Sequence, residues 1–489
     1  MHDRANLAIA GIAAALGVIL VATANRYGFH RDELYFIEAG HHLAWGYVDQ
    51  PPLTPLLGHI SQAVFGSSPR ALRVPSVLAG MTLVLLGASL CRHLGGTPRA
   101  RVLAAVGIAV AAVVLAVTHI LSTTTFDVLA WVLVLWLVTR LLQGADPRLW
   151  VVVGLVVGVG LLNKHLVLFL VASLAVGIVI GHRSDVLRSR WLIVGAALAL
   201  LIWSPNLIWQ ATHGWPQIDM ARAISREDGA ENRAELIPLQ LLLLGPLLLP
   251  IWGAGLVWLW RSDETKRLRP LAFTYPVLLV AVFIGAGKSY YVAPILLLYL
   301  AAGCVVVDRW MTKPRRVVAV AAWVAVSAVT SAIITLPLLP VKDVGGSPVA
   351  ALNDDALETI GWPRFVDQVD AVVESLPPDQ RASAILFTAN YGEAGAIDHL
   401  GRAAGLSRAY SGHNSYSDWG IPPGSASPVV VIGFTQRAYV DTYWNGCKEA
   451  ARIDNGVDAD NEEQGVPIWV CAGPKQPWAA LWDDLTSYG

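Results

Sequence analysis

About eleven stretches of this chain are apolar over nearly the length needed to cross a bilayer. A helix spans ~30 Å of hydrocarbon with roughly 20 apolar residues. The runs fall near 7-24, 72-90, 102-118, 126-139, 149-162, 166-181, 191-210, 236-260, 270-286, 291-307 and 317-337. The fifth and sixth are short and share one apolar stretch broken by Asn163, Lys164 and His165, as in a tight hairpin or a pair of broken helices. Residues are 55% hydrophobic and 15% charged, in blocks instead of alternation, so the chain is a polytopic α-helical membrane protein and the bilayer is its first partner. A formal net charge of −1 offers no basic stripe to follow a phosphate backbone, which excludes nucleic acid as the natural partner. Arg4 precedes the run from Leu7 to Thr23 with no clear small-residue cleavage site after it, which we read as a retained first helix.

Basic residues in short connections set the orientation, because they stay on the cytoplasmic side. Loops 91-101, 140-148, 182-190, 261-269 and 308-316 hold 3, 2, 3, 4 and 4 Lys or Arg, whereas 119-125, 163-165 and 286-290 hold 0, 1 and 1. This predicts a cytoplasmic N-terminus in a plasma (inner) membrane, with 25-71, 211-235 and 341-489 outside. After Pro340 the composition turns to Asp, Glu, Asn and Gly with no further spanning run. The chain thus divides into a transmembrane domain, 1-340, carrying the outer loop 25-71, and an extracytoplasmic domain, 341-489. Apolar runs at Ala384 to Phe387, Val429 to Ile432 and Ile468 to Val470 predict buried strands. Helical patterns at 363-376, 391-402 and 477-485 alternate with them, giving a soluble α/β layer structure. Cys447 and Cys471 share the outer side, where oxidation permits a disulfide; the alternative is two buried thiols. Cys91 and Cys304 fall at cytoplasmic helix ends and are expected to be free.

The first outer loop is dense in chemistry. Immediately after a spanning helix it places Asp32 and Glu33, then Glu38, His41, His42 and Asp49, among apolar residues spaced for helices lying on the membrane surface near 32-45 and 52-65. A solvated helix start, with acids at the positive end of the dipole, would look the same. Asp127 stands at the outer end of the fourth span, where a helix cap is the simplest role. Lys164 and Lys288 are the lone cations of short outer loops, suited either to a lipid-linked phosphate or to snorkelling toward headgroups. Arg222, Arg226 and Arg233 lie in 211-235 and match phosphate geometry, although Glu227, Asp228 and Glu231 share that loop. His41 and His42 are adjacent and diverge on a helix, so no zinc site is read from them. Oxygens of Asp32, Glu33 or Asp127 would suit a divalent metal ion. Walker, Rossmann, CxxC and GxSxG patterns are missing from any convincing place, which disfavours a nucleotide-driven pump.

The segment RDELYFIEAGHHLAWGYVDQPPLTPLLG resembles the signature outer loop of the dolichyl-phosphate-mannose protein mannosyltransferase-like proteins of the C-type (GT-C) glycosyltransferase superfamily. STTTFDVLAW, GLLNKHLVLF, GAGKSYYVAPILLLYLAAG, FTANYGEAGAIDHLG and SGHNSYSDWG agree in order. The resemblance implies an enzyme, a hexosyl- or pentosyltransferase. It would move one sugar from a polyprenyl-phosphate-linked donor to an acceptor hydroxyl at the outer face of the plasma membrane, inverting the anomeric centre. It maps the base onto Asp32 with Glu33 beside it, a second acid onto Asp127, and donor-phosphate ligands onto Lys164 and Lys288, with Arg222 a further clamp. His41, Asp49, Tyr290 and Trp419 are substrate-contact candidates, and Trp45, Tyr47 and Trp419 offer stacking faces. The resemblance leaves open the sugar and the acceptor, whether protein, lipid, glycan or metabolite. Two other classes fit an acid-bearing polytopic chain. A secondary transporter or flippase normally shows related halves, which are not visible here, and a receptor would not need this many spans.

Overall fold

In the computed structural model, residues 2-424 and 428-488 are described. The chain divides into two compact units. One contains the segments up to Thr23, Gln50–Thr54 and Arg73–Leu336; the other contains Ala24–Asp49, Pro55–Leu72 and the chain from Pro337 on.

The first unit is helical. Among the described residues seven helices are long and apolar enough to cross a membrane: Asp3–Thr23, Val74–His93, Thr123–Leu142, Arg190–Thr212, Lys266–Ile284, Ser289–Trp310 and Pro314–Thr335. Pro98–Ala109 and Ala112–His119 form an eighth if counted as one span bent by 53°. At the bend the amides of Ala112 and Val113 donate to Leu244 and Leu243 carbonyls, which replaces the hydrogen bonds the break removes. This measure does not reach the expected eleven, for two reasons. Leu149–Leu161 and Val167–Ile180 have only 13 and 14 residues. The run 236-260 is not one helix: it divides into Gly229–Gln240, a short turn and Leu249–Arg261. Gly245 at φ +93° followed by Pro246 stops helical propagation between them.

Small residues set the helix packing. A Cβ on Gly154 would overlap Gly195, and one on Gly255 would overlap the backbone at Tyr299 and Gly303, so these helices meet backbone to backbone. Leu53 N–H donates to Leu162 O at 2.8 Å, which ties the Pro51–Pro52 segment to the turn bearing Asn163 and Lys164.

The second unit is an α/β layer. Among the described residues seven strands form: β1 Ile385–Thr388, β2 Ala409–Ser411, β3 Val429–Ile432, β4 Trp444–Asn445, β5 Lys448–Arg452, β6 Pro467–Cys471 and β7 Gly473–Pro474. The five-stranded sheet has the order β2-β1-β3-β6-β5, parallel across β2, β1 and β3 and antiparallel beyond, while β4 and β7 pair separately. Strands β1 and β3 are buried along their whole length. Uninterrupted ILFT and VVVI, with no polar alternation, are what burial on both faces requires. Phe387, Trp444, Trp478 and Trp482 pack together under one face, and Cys447 is bonded to Cys471 beside them. Helices Trp362–Glu374, Tyr391–Leu400 and Trp478–Leu485 complete the layer.

Helix Arg31–His41, from the first loop, packs on helix Tyr391–Leu400. The approach is close because the facing positions are glycines: a Cβ on Gly395 would lie 2.9 Å from the Leu34 carbonyl carbon, and one on Gly392 would overlap the Arg31 side chain.

Candidate active site

Asp32 is placed by the start of its helix. His30 is the N-cap; its Nδ1 accepts from the Asp32 amide at 3.1 Å, while Glu33 Oε2 accepts from the His30 amide at 2.8 Å. This reciprocal capping box buries Glu33 completely and commits its carboxylate to the helix end. Asp32, one residue earlier, points elsewhere and its side chain keeps 36% exposure. Of the two adjacent acids, Asp32 is the one a substrate can reach.

Asp32 Oδ1 accepts a hydrogen bond from the Tyr391 hydroxyl at 2.8 Å. Tyr391 is the first residue of its helix, after the N-cap Asn390, which forms a second capping box with Glu393. The Tyr391 ring stacks on His413 at 4.9 Å and lies 4.7 Å from Tyr35. Burial, reinforced by the Asp32 charge, raises the Tyr391 hydroxyl well above its usual range, so it stays protonated and donates. Arg31 lies over the same ring at 5.6 Å and pairs with Glu462.

Asp49 accepts from the Tyr35 hydroxyl at 2.7 Å. Burial pushes its carboxyl up to about 7; the Tyr35 bond opposes this and the Asp32 charge adds to it. Trp419 stacks flat on His42 at 4.8 Å and on Tyr35 at 5.8 Å, so a partly exposed aromatic row runs from His42 through Trp419 and Tyr35 to Tyr391. His41 turns instead to Glu38, at 3.3 Å. Tyr47 is 1% exposed and its hydroxyl donates to Ala39 O, so it braces the turn after the helix and presents no stacking face. Behind the site, burial followed by repulsion from Glu358 and Glu393 raises the Glu463 carboxyl to about 9.

The helical unit holds the other predicted residues. Asp127 is not a helix cap: Ser122 caps the helix Thr123–Leu142, and Asp127 lies one turn inside, 2% exposed, accepting from Trp131 Nε1 at 3.0 Å. Lys164 donates to Thr124 Oγ1 at 3.1 Å and lies 5.4 and 5.3 Å from the rings of Tyr290 and Tyr291. Its charge also acts on Asp127. Asn163 fixes the turn by accepting from Thr54 and donating to the Thr123 carbonyl, both at 2.7 Å. Asp127, Lys164 and Tyr290, distant in sequence, are therefore neighbours. Lys288 is 44% exposed and stands 4.0 Å from Asp228, whereas Arg222 is 65% exposed and paired with Asp219 on its own helix. Arg222 is not gathered with the lysines by any contact among the described residues.

No group of three or more His, Cys, Asp or Glu suited to a metal ion occurs among the described residues. Sequence reasoning did not single out Tyr391, Tyr35, His413 or Gln50. Gln50 is 3% exposed, and neither its amide nitrogen nor its oxygen has a hydrogen-bond partner among the described residues. The available signal was the density of Tyr, His, Asn and Gly in FTANYGEAG and SGHNSYSDWG, which polar turns of no function also show.

The fold is that of the C-type glycosyltransferases. ArnT from Cupriavidus metallidurans, solved bound to undecaprenyl phosphate, superposes with a TM-score of 0.60 at 15% identity, covering 94% of this chain and 97% of that one. The archaeal oligosaccharyltransferase AglB from Archaeoglobus fulgidus, solved with an inhibitory peptide and a dolichol-phosphate, matches with a TM-score of 0.51 at 14% identity, over 82% of this chain and 63% of that one. Residues 49–209 match the family described as dolichyl-phosphate-mannose-protein mannosyltransferase, and the chain resembles that family. No curated protein matches the sequence.

Proposed function

We propose that this protein is a membrane glycosyltransferase that moves one sugar from a polyprenyl-phosphate donor to an acceptor hydroxyl, with Asp32 as the base. The observation that carries the reading is the pair of unequal acids at one helix start. Glu33 is consumed as a cap, while Asp32 stays accessible and is oriented by a half-buried tyrosine. The fold and the match over residues 49–209 support the class.

In this reading the acceptor oxygen attacks the anomeric carbon as its proton passes to Asp32. The new C–O bond forms as the bond to the lipid phosphate breaks, and the electron pair leaves with the phosphate. Single displacement inverts the centre. Lys164 and Lys288, with Arg222 a weaker third, would stabilise the leaving phosphate, and Asp127 would position the acceptor. Trp419 and Asp49 would contact the sugar or acceptor. We take the active face to be the outer side of the plasma membrane, the N-terminus to be cytoplasmic, and 1-340 and 341-489 to be the membrane and extracytoplasmic domains. The basic loops support that orientation.

The test is turnover of a panel of polyprenyl-phosphate sugars by purified protein, followed as release of polyprenyl phosphate. Asp32→Asn should leave less than about a tenth of the rate, a loss of at least ~1.4 kcal/mol in transition-state stabilisation, with an unchanged melting temperature. Equal turnover by both proteins would remove Asp32 from the base role. Absence of turnover with every donor, in folded protein supplied with membrane extract, would favour transport.

A further inference from the structure

We propose that the helical unit has a second, non-catalytic ligand site: a cleft that takes the phosphodiester headgroup of an anionic phospholipid. The cleft has a volume of about 720 Å³ and lies where the helix Val167–Ile180 ends and the helix Arg269–Ile284 begins. That volume is within the ~300–1,000 Å³ typical of small-ligand pockets. Four cations converge on it: Arg183, Lys266, Arg267 and Arg269.

The convergence is built by backbone packing. Gly177 and Gly181 face the start of the partner helix so closely that a Cβ on Gly177 would lie 2.7 Å from both Pro270 O and Thr274 Oγ1, and one on Gly181 would lie 2.7 Å from Pro270 Cγ. The charged segments that follow and precede these helices are thereby brought to one place. Arg183 is fixed there, donating from Nη1 to Leu142 O at 3.0 Å and more weakly to Arg267 O.

The cations are only half neutralised. Arg183 pairs with Asp185 and Arg269 with Asp263, and these carboxylates face solvent at 67% and 97% exposure. Lys266 and Arg267 have no ion pair among the described residues. The Nε of Arg269 is buried with no hydrogen-bond partner among them. Two unpaired cations, beside two arginines whose carboxylate partners face solvent, suit an anion with several acceptor oxygens.

The walls indicate which anion. Ile180, 47% exposed, and Phe273 line the same cleft from the two apolar helices, so a ligand with charge at one end and hydrocarbon at the other matches both surfaces. A phospholipid does, and the cleft lies at the ends of two apolar helices, where a headgroup would meet the cations.

The experiment uses the purified full-length chain, delipidated in neutral detergent and titrated with phosphatidylglycerol or phosphatidylcholine of identical chains, with retained lipid read by native mass spectrometry. Wild type should retain phosphatidylglycerol in preference to phosphatidylcholine. Lys266→Gln with Arg267→Gln should weaken phosphatidylglycerol retention by about tenfold or more. Arg315→Gln with Arg316→Gln, which removes equal charge from another basic loop, should leave it unchanged. Equal retention by the first pair, or equal loss in both pairs, overturns the proposal. So does binding of inorganic phosphate that depends on Lys266 and Arg267 without a lipid preference. Melting curves of each variant identify unfolding, in which case Arg267→Lys, which keeps the charge and loses the fork, replaces the pair and should weaken retention without changing stability.

Discussion

At Asp32 the decisive neighbour comes from 359 positions away. The Tyr391 hydroxyl, half-buried and stacked, is held well above its usual range, so toward Asp32 it acts as a donor. That bond favours the charged carboxylate and fixes which oxygen points away from the ring. Tyr391→Phe removes it without changing the ring. A hydrogen bond to a charged group is worth ~1.5–3 kcal/mol, and a pKa unit is ~1.4 kcal/mol. The acid limb of the kcat/KM profile should therefore move upward. The sign follows from losing stabilisation of the charged base, which then protonates at higher pH. A change confined to stability, with the profile in place, would make the tyrosine a packing residue only.

Helix pairing in this protein depends on glycine at the contact, in both units. Gly395 is the clearest case, because the atoms a side chain would meet are Leu34 backbone and cannot swing aside. Gly395→Leu should separate the helices bearing Asp32 and Tyr391 and destabilise by roughly 1–3 kcal/mol, read by thermal unfolding, with loss of turnover in the fraction still folded. Gly253, whose Cβ would meet nothing within 4 Å, provides the contrast. Gly253→Ala should be neutral or stabilising by up to ~1 kcal/mol, the helix propensity difference. The same logic explains why the run 236-260 misled a count of spans. Its mean apolarity is high, but Gly245 and Pro246 interrupt the hydrogen-bond ladder, and composition averages over such a break.

For the whole chain, the basic-loop asymmetry predicts which segments face the cell interior. In intact cells a membrane-impermeant maleimide should label Glu231→Cys and spare Asp263→Cys, whose side chain is 97% exposed and reacts once the membrane is opened. The reverse pattern would invert the topology and move Asp32 to the inner face. The native thiols Cys91 and Cys304 are buried and should add little background.

The sequence alone determined that the chain is membrane-embedded, where its principal strands and soluble helices lie, and that the loop after the first helix carries acids worth testing. Those properties are local: hydrocarbon thickness sets a length, burial on both faces sets an uninterrupted apolar strand, and capping sets a short signature. Only the tertiary structure decided that Glu33 is a cap while Asp32 is presented, that Asp127, Lys164 and Tyr290 are neighbours, and that Tyr391 completes the Asp32 site. Such roles depend on which residues meet after folding, and contacts across hundreds of positions leave no period or spacing to read. The basic cleft at Arg183 and Arg267 belongs with them. Each loop looked like an ordinary cytoplasmic charge cluster until two glycines brought the helix ends together.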